Sequence, residues 1–444
     1  MPPFLALILT FGGIFVLLRR DLRLEPYTSR AQWLPLFWLF ISASRFVSEW
    51  LVALGFPVGS GSIEDGSPID RLVYIAMIVG GVVILNRRQV NLNDLFRKNR
   101  YLVAFLAYCL LAVVWSDHPF ISLKRWIKVL GHPIMVLVVL TEPDPGAAVR
   151  SLFRRSAFII LPLSVLMIKY YPEIGRAYEA WSGDVMLTGV TTNKNLLGAT
   201  CYLFALFFAW DLLRQFKEPK SLEWKNEVRL SGAFFLIAFW VLLQSNSKTS
   251  FVALMVGMAV LWFVNSPSRA PKVGVLILSS LVFVVVVQGV FDVYGLALSL
   301  LGKDATLTDR TILWEQLFEM VEDPLLGVGF ESFWLGERVE FLWSQERFAF
   351  RPNQAHNGYL ETYLNLGALG LLFLGALLFS IYRKAKANLI IENRFGAFQM
   401  AFLVSAVTYN WTEAAFKTVH FVFLVLYFVT VDYRENVEFD QGHV

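Results

Sequence analysis

The chain has 444 residues, of which 56% are hydrophobic and 17% are charged, and its mean hydropathy is +0.55. Soluble proteins carry about 45–50% apolar and about 25% charged residues, so this composition excludes a soluble globular protein. The net charge of +4 is too small to indicate a nucleic-acid partner. Both cysteines, Cys109 and Cys201, lie in apolar runs, which excludes a disulfide scaffold or a cysteine metal site.

Long apolar runs recur along the whole sequence, and a membrane-spanning helix needs roughly 17–25 such residues. We therefore predict an all-α integral membrane protein, a polytopic bundle of about 12–14 transmembrane helices. It forms one membrane domain over residues 1–444. In the first run the charged residues follow the apolar stretch, which indicates a span rather than a cleaved signal peptide. The predicted spans lie near residues 2–18, 33–55, 70–86, 101–116, 126–141, 155–169, 195–213, 231–245, 250–266, 273–292, 362–382, 396–411 and 417–431.

The Lys and Arg residues between these runs predict the orientation of the chain. With the N-terminus outside, most of the 39 Lys and Arg fall in segments on the cytoplasmic side, as the positive-inside rule requires. Residues 432–444 then form a cytoplasmic tail, and residues 293–361 form a large outer loop. Inside the second span, Arg45 and Glu49 are four residues apart, and we expect them to face one another as a structural pair.

The outer loop contains TDRTILWEQLFEMVEDPLLG, which predicts an amphipathic helix that begins near Arg310 and stops at Pro324. Thr308 or Asp309 is expected to cap it. A helix N-terminus with an arginine is suited to hold a pyrophosphate. The alternative is an ordinary surface pair between Asp309 and Arg310.

Other polar clusters on the predicted outer face supply further candidates. Lys194 in TTNKN and Lys248 in SNSKTS could bind phosphate or could cap helices. The positive-inside rule disfavours Lys and Arg on the outer side, so cations found there suggest an anionic ligand. The alternative is that these side chains extend toward the lipid headgroups. Further candidate substrate-binding residues in these clusters are Arg125, Asn195 and Asn357.

His356 lies just before the predicted 362–382 span. Close to a helix N-terminus an imidazole stays neutral and can accept a proton, which suits a general base acting on a sugar hydroxyl. A histidine in this position can equally be a helix cap. The sequence contains no metal-binding motif, P-loop or nucleotide-binding fingerprint, so we predict neither a metal nor another cofactor.

Four motifs in this order resemble the O-antigen ligase and polymerase superfamily of bacterial envelope enzymes, with the strongest likeness to exopolysaccharide polymerases of the succinoglycan type. They are TGVTTNKNLLG (188–198), SNSKTS (245–250), DRTILWEQLFEMVEDPLLGVGFESFW (309–334) and AHNGYLETYLNLGALGLLFL (355–374). The resemblance is densest from about residue 116 to residue 375.

The resemblance implies a GT-C-like glycosyltransferase of the inner membrane with a periplasmic active site. Its donor would be a glycan on undecaprenyl diphosphate and its partners a glycan acceptor, the lipid bilayer, and chain-length regulator and export proteins. By motif, Arg310 would hold the diphosphate, with Lys194 and Lys248 beside it, and His356 would activate the acceptor. The sequence departs from the family's usual Gly-Arg pair by having Asp309 before Arg310.

Three functions remain open from the sequence. The first is polymerisation of lipid-linked repeat units, and the second is ligation of such a glycan to lipid A-core. The third is a transporter or flippase without catalysis, which would tend to have polar breaks near the middle of the membrane. The clustering of polar motifs at one face favours an enzyme.

Overall fold

The computed structural model describes residues 1–25, 28–58, 66–178, 183–280, 310–348, 351–391, 395–417 and 419–433. These residues are nearly all α-helical, which confirms the predicted class of polytopic helical membrane protein. In chain order the elements are α1 (Pro3–Leu24), α2 (Trp33–Ser42), α3 (Val47–Ala53), α4 (Pro68–Arg87), α5 (Leu92–Lys98), α6 (Arg100–Leu111), α7 (Pro119–Leu140), α8 (Pro145–Tyr170), α9 (Pro172–Gly175), β1 (Arg176–Tyr178), β2 (Val185–Leu187), α10 (Lys194–Gln215), α11 (Leu222–Gln244), α12 (Lys248–Val264), α13 (Ala270–Ser280), α14 (Arg310–Glu319), α15 (Gly336–Ser344), α16 (Gly358–Ile391), α17 (Phe395–Tyr409) and α18 (Phe421–Thr430).

Each predicted span overlaps described helices, but the second, 33–55, is divided between α2 and α3, and the tenth, 273–292, starts in α13 and continues outside the described residues. Among the described helices, six are long and apolar enough to cross a membrane individually, and α2 with α3 make a bent seventh. Several others, such as α12 and α17, are apolar but shorter. The total of 12–14 spans stays a prediction.

Local sequence explains where many of these helices begin. Proline occupies the first helical position of α4, α7 and α8, where its missing N–H costs nothing. Asn193 and Ser221 cap α10 and α11 by accepting backbone N–H groups at 2.9 Å and 3.0 Å. These caps set the positions of the polar residues that follow them.

The centre of the bundle is α10, in which residues 197–211 are all buried. It packs against α11, α12 and α17, and α8 is buried nearly as completely. By contrast, α1 and α4 leave large apolar side chains exposed, including Phe4, Phe15 and Leu72. An apolar surface of this kind is suited to lipid, as the composition predicted.

The second predicted span is broken, so the expected helical pair of Arg45 and Glu49 is wrong. The helix axis bends by 63° between α2 and α3. Glu49 caps α3 by accepting the Phe46 N–H at 2.8 Å. Arg45 instead donates to the carbonyls of Ile174 (2.7 Å) and Thr191 (2.9 Å). Arg45 therefore fixes Ile174 and Thr191 against this part of the bundle.

The long helix α16 is also interrupted, at Gly367, where φ is +63°. A Cβ on this residue would lie 2.2 Å from the Leu325 carbonyl oxygen, so only glycine fits. Across the interruption, Ala368 N donates to the Pro324 carbonyl at 2.9 Å. Gly329 N donates in turn to the Asn365 carbonyl at 2.9 Å. The kink thus anchors the 324–329 segment to the helix.

The described part of the predicted outer loop is a packed layer. The helix expected to begin at Arg310 does so as α14, but it ends at Glu319, earlier than the predicted stop at Pro324. The Asp323 carboxylate turns the chain there by accepting the N–H groups of Leu325 and Leu326. The expected caps, 308 and 309, lie outside the described residues. Apolar side chains of this layer form their own core with α16: Leu313, Leu317, Val328, Phe333, Leu342, Phe348, Leu360 and Leu364.

The segments predicted to share one side of the membrane contact one another. On the predicted cytoplasmic side, Arg155 is bonded to Asp21 at 2.7 Å. On the predicted outer side, Arg338 reaches Asp117 at 2.8 Å. That side also holds the antiparallel ribbon β1–β2, which the all-α prediction did not anticipate. The bundle therefore has two distinct polar ends, and the candidate site lies at the second.

Candidate active site

The turn formed by residues 410–417, between α17 and α18, brings several of the sequence motifs together. Arg310, at the first position of α14, donates from Nη1 to the Thr412 carbonyl at 2.5 Å. Its Nη2 donates to Glu413 Oε1 at 3.2 Å. Two simultaneous contacts fix the plane of the guanidinium, which a lysine could not reproduce.

The motifs at the starts of α10 and α12 meet the same turn. Asn195 Nδ2 donates to Glu413 Oε1 at 2.8 Å. The hydroxyl groups of Thr249 and Thr412 lie 2.7 Å apart. Lys194 and Lys248 are the chain neighbours of these residues, and Lys248 is exposed. The structure therefore brings the chain neighbours of Lys194 and Lys248 to the same turn that Arg310 contacts.

His356 approaches the same carboxylate from another direction. It lies two residues before α16, as the sequence predicted, and its Nδ1 is 3.5 Å from Glu413 Oε2. Its φ of +50° lies in the left-handed region, which is uncommon for residues other than glycine. Backbone strain of this kind concentrates at functional sites, where surrounding contacts hold it.

The contacts that hold His356 in place come from the two residues that follow it in sequence. Asn357 Oδ1 accepts the N–H groups of Tyr359 and Leu360, each at 3.0 Å, and thereby caps α16. The Gly358 N–H donates to the Asn410 carbonyl at 2.8 Å. Asn357 therefore uses its side-chain carbonyl oxygen to cap α16. Its predicted contact with substrate stays a prediction.

Glu413 connects these groups, and the sequence analysis did not single it out. Its side chain is largely buried, and it is within reach of Arg310, Asn195 and His356. A buried carboxylate needs such partners, because removing a charge from water is costly. The available signal was NWTEAAFK, a short polar interruption between two apolar runs on the predicted outer side.

We expect Glu413→Gln to lower kcat roughly 10- to 100-fold, because a charge-assisted hydrogen bond contributes about 1.5–3 kcal/mol. The dependence of kcat on pH should change as well, since Glu413 adjoins the His356 imidazole. Measurements of kcat over a range of pH, with Glu322→Gln as control, test this. Glu322 is an exposed carboxylate paired with Arg338 at 3.1 Å. If kcat and its pH dependence are unchanged in Glu413→Gln, then Glu413 does not hold Arg310 and His356 in their active positions.

A cleft of about 1110 Å³ opens beside this cluster. Arg125 lines it and donates to the carbonyl of Glu331. Among the described residues, the cleft lining includes Lys417 but neither Arg310 nor His356. We call Glu413 and the three residues that contact it, Arg310, Asn195 and His356, the Glu413 cluster. This cluster adjoins the cleft, which contains Arg125.

Within the described part of the chain, no group of three or more His, Cys, Asp and Glu side chains is placed to hold a metal ion. Both cysteines are buried and free. The cationic groups of the Glu413 cluster are suited to an anionic substrate instead.

Residues 233–375 match the family described as O-antigen ligase. The chain is also 27% identical over 380 residues to the exopolysaccharide production protein ExoQ of Rhizobium meliloti, covering 83% of this chain and 82% of that protein. These matches support a relation of the chain to the O-antigen ligase superfamily. A provisionally named polysaccharide ligase of Rickettsia typhi, RT0347, is 20% identical over 319 residues, which are 69% of this chain and 74% of that relative.

Members of the O-antigen ligase family are enzymes that transfer glycans, and this chain is a multi-pass membrane protein. The resemblance predicted from the four motifs is therefore confirmed. The matched region contains Lys248, Arg310 and His356, whereas Asn195 and Glu413 lie outside it. The Glu413 cluster thus joins residues of the matched region to the flanking helices.

Proposed function

We propose that this protein is a metal-independent membrane glycosyltransferase that polymerises undecaprenyl-diphosphate-linked oligosaccharide repeat units into exopolysaccharide. The reaction would take place at the periplasmic face of the bacterial inner membrane. The observation that carries the proposal is the Glu413 cluster, where one buried carboxylate contacts both Arg310 and His356. The similarity to ExoQ, which is named for exopolysaccharide production, favours polymerisation.

In the proposed reaction an acceptor hydroxyl oxygen forms a bond to the anomeric carbon of the donor glycan. The bond between that carbon and the diphosphate oxygen breaks, and the electron pair leaves with the lipid diphosphate. Fixed cations stabilise the developing negative charge most effectively where water is scarce. Arg310 is the group we assign to this role, with Lys194 and Lys248 supporting it.

His356 is the group we assign to receive the acceptor proton. Its Nδ1 faces both Glu413 Oε2 at 3.5 Å and Gln354 Nε2 at 3.3 Å. We assign the tautomer with hydrogen on Nδ1, which donates to the carboxylate and leaves Nε2 able to take the proton; the Gln354 amide, itself a donor, then makes no hydrogen bond to Nδ1. The imidazolium formed then lies beside the Glu413 carboxylate, which stabilises it.

The direct test uses the purified protein, reconstituted in liposomes with an undecaprenyl-diphosphate-linked repeat unit. A polymerase converts this substrate into a ladder of products that differ by one repeat, together with released undecaprenyl diphosphate. The absence of a ladder under conditions where the protein is folded would contradict the proposal.

Ligation to lipid A-core is the second candidate, because the family description and the Rickettsia typhi relative both name a ligase activity. Adding lipid A-core to the same assay separates the two functions. A single transfer to lipid A-core without a ladder would assign the chain as a ligase.

We expect turnover to be unchanged in excess EDTA, because the proposed chemistry depends on Arg310 and His356 rather than on a metal ion. The measurement is the initial rate of ladder formation with and without the chelator. A rate that falls in EDTA and recovers when Mg²⁺ or Mn²⁺ is added would contradict metal independence.

A further inference from the structure

One face of α7 forms a wall of the cleft. Ile121, Lys124, Arg125 and Lys128 all line it, at spacings of three and four residues that place them on the same side of a helix. The opposing wall comes from α4, where Tyr74 contributes its ring. This arrangement presents three cationic side chains of a single helix to one cavity.

Aromatic rings contact two of these cations. Lys128 Nζ lies 4.1 Å from the ring centroid of Tyr74 and 4.8 Å from that of Phe46. Lys124 Nζ lies 4.7 Å from the ring centroid of Phe120. Aromatic faces stabilise a cation without cancelling its charge, so the ammonium groups keep their attraction for an anion.

Three carboxylates interact electrostatically with Lys128: Glu331, which lines the cleft with it, and Asp70 and Glu49, which bond groups at the start of α3. Asp70 accepts from the Ser48 N–H at 2.9 Å and from the Ser48 hydroxyl at 2.5 Å. Glu49 accepts the Phe46 N–H. Asp70 and Glu49 still interact with Lys128 electrostatically, but these hydrogen bonds direct their oxygens toward the start of α3.

The cleft adjoins the Glu413 cluster through two side chains. Lys417, which lines the cleft, donates from Nζ to Gln354 Oε1 at 2.8 Å. The amide nitrogen of Gln354 lies 3.3 Å from His356 Nδ1. The His356 imidazole is therefore adjacent both to the Glu413 cluster, which contains Arg310, and to the cleft, which Lys128 lines.

The size of the cleft fits a substrate larger than a typical small molecule. Ligand pockets usually measure about 300–1,000 Å³, and this one measures about 1110 Å³. Tyr74, Trp334 and Trp343 in its lining offer apolar ring faces, and Asn353 offers an amide. Rings and amides together suit the alternating apolar and hydroxyl faces of sugars.

We propose that this cleft binds the acceptor glycan, and that Lys128 and Arg125 hold an anionic group on it, either a phosphate or a carboxylate. The inference rests on the proposed function, because glycan transfer requires a donor and an acceptor to be bound at the same time. Arg310 serves the donor diphosphate, and the α7 cations serve the second molecule.

The test measures anion binding to the purified full-length protein by isothermal titration calorimetry. The parent protein carries Arg310→Ala, so that the Glu413 cluster contributes little to binding. The probes are inorganic pyrophosphate and glucuronate, which stand for a lipid diphosphate and an acidic sugar. We expect at least one probe to bind, and the probe that binds tells the two sources apart.

Lys128→Met should weaken that binding about tenfold or more, because it removes a charge-assisted contact. Lys128→Arg, which keeps the charge, should retain binding and shows that the site still folds. The matched control is Lys169→Met, since Lys169 Nζ also lies over a tyrosine ring, 5.6 Å from the Tyr170 centroid, outside the cleft. An unchanged Kd in Lys128→Met, or no binding of either probe, would overturn the inference.

Steady-state assays with Arg310 intact separate this inference from the proposed function. With a donor unit whose acceptor hydroxyl is blocked and a separate acceptor glycan, Lys128→Met should raise KM for the acceptor while KM for the donor stays constant. Normal acceptor KM together with an inactive Arg310→Ala variant would refute the cleft assignment alone. Full activity of Arg310→Ala would refute the proposed function, and the calorimetry would still decide whether the cleft binds anions.

Discussion

Replacing Arg310 with alanine is expected to lower the rate of glycan transfer at least about 10²–10³-fold while the protein still inserts into the membrane. This is the effect typical of removing one group that stabilises transition-state charge. The guanidinium contacts the Thr412 carbonyl and Glu413 at the same time. Arg310→Lys should rescue poorly, because an ammonium cannot keep both contacts. Ladder formation by proteoliposomes containing equal amounts of each variant is the measurement.

A matched control for Arg310 exists in the same segment. Arg338 is also an arginine with two oxygen partners, Asp117 at 2.8 Å and Glu322 at 3.1 Å, but it lies away from the Glu413 cluster. We expect Arg338→Ala to keep near-normal activity. If Arg310 served only to neutralise Glu413, then adding Glu413→Gln to Arg310→Ala would restore activity. Such a rescue would contradict the diphosphate role.

The second large effect is expected at His356. If its imidazole is the base, replacing it should lower kcat roughly 10²–10⁴-fold with little change in KM. Asparagine is the best replacement, because residue 356 has a φ of +50° and asparagine tolerates the left-handed region better than alanine or glutamine does. Asparagine also keeps a hydrogen-bonding side chain but cannot take up the proton.

The pH dependence of kcat provides the readout that a purely structural histidine would not affect. The pH profile of kcat in His356→Asn should differ in shape from that of the wild type, because asparagine cannot take up a proton. His118→Asn serves as a control, since His118 lies at the same end of the bundle near Gly336. Near-normal turnover of His356→Asn would mean that His356 positions the acceptor or its helix, and that another group or none removes the proton.

The composition of the Glu413 cluster was predictable only in part. Arg310, Asn195 and His356 stand in motifs that resemble a family, so their residue types and order pointed to them. Glu413 has no such motif, and it meets Arg310 and His356 across 103 and 57 residues of chain. No local pattern reports a contact over that distance, which is why the carboxylate that connects the cluster was missed.

The sequence by itself determined the membrane class, the approximate limits of most spans and which polar segments share an end of the bundle. The length of each apolar run and the charge of each loop are local properties of the sequence. A segment in lipid must satisfy its backbone groups within its own helix, so the length of an apolar run sets the limits of a span. Only the tertiary structure decided the break before α3, the kink at Gly367 and the cleft along α7. Each interrupts a helix or opens a cavity through groups that are distant in sequence. Arg45, for example, lies in the break between α2 and α3 and donates hydrogen bonds to the carbonyls of Ile174 and Thr191.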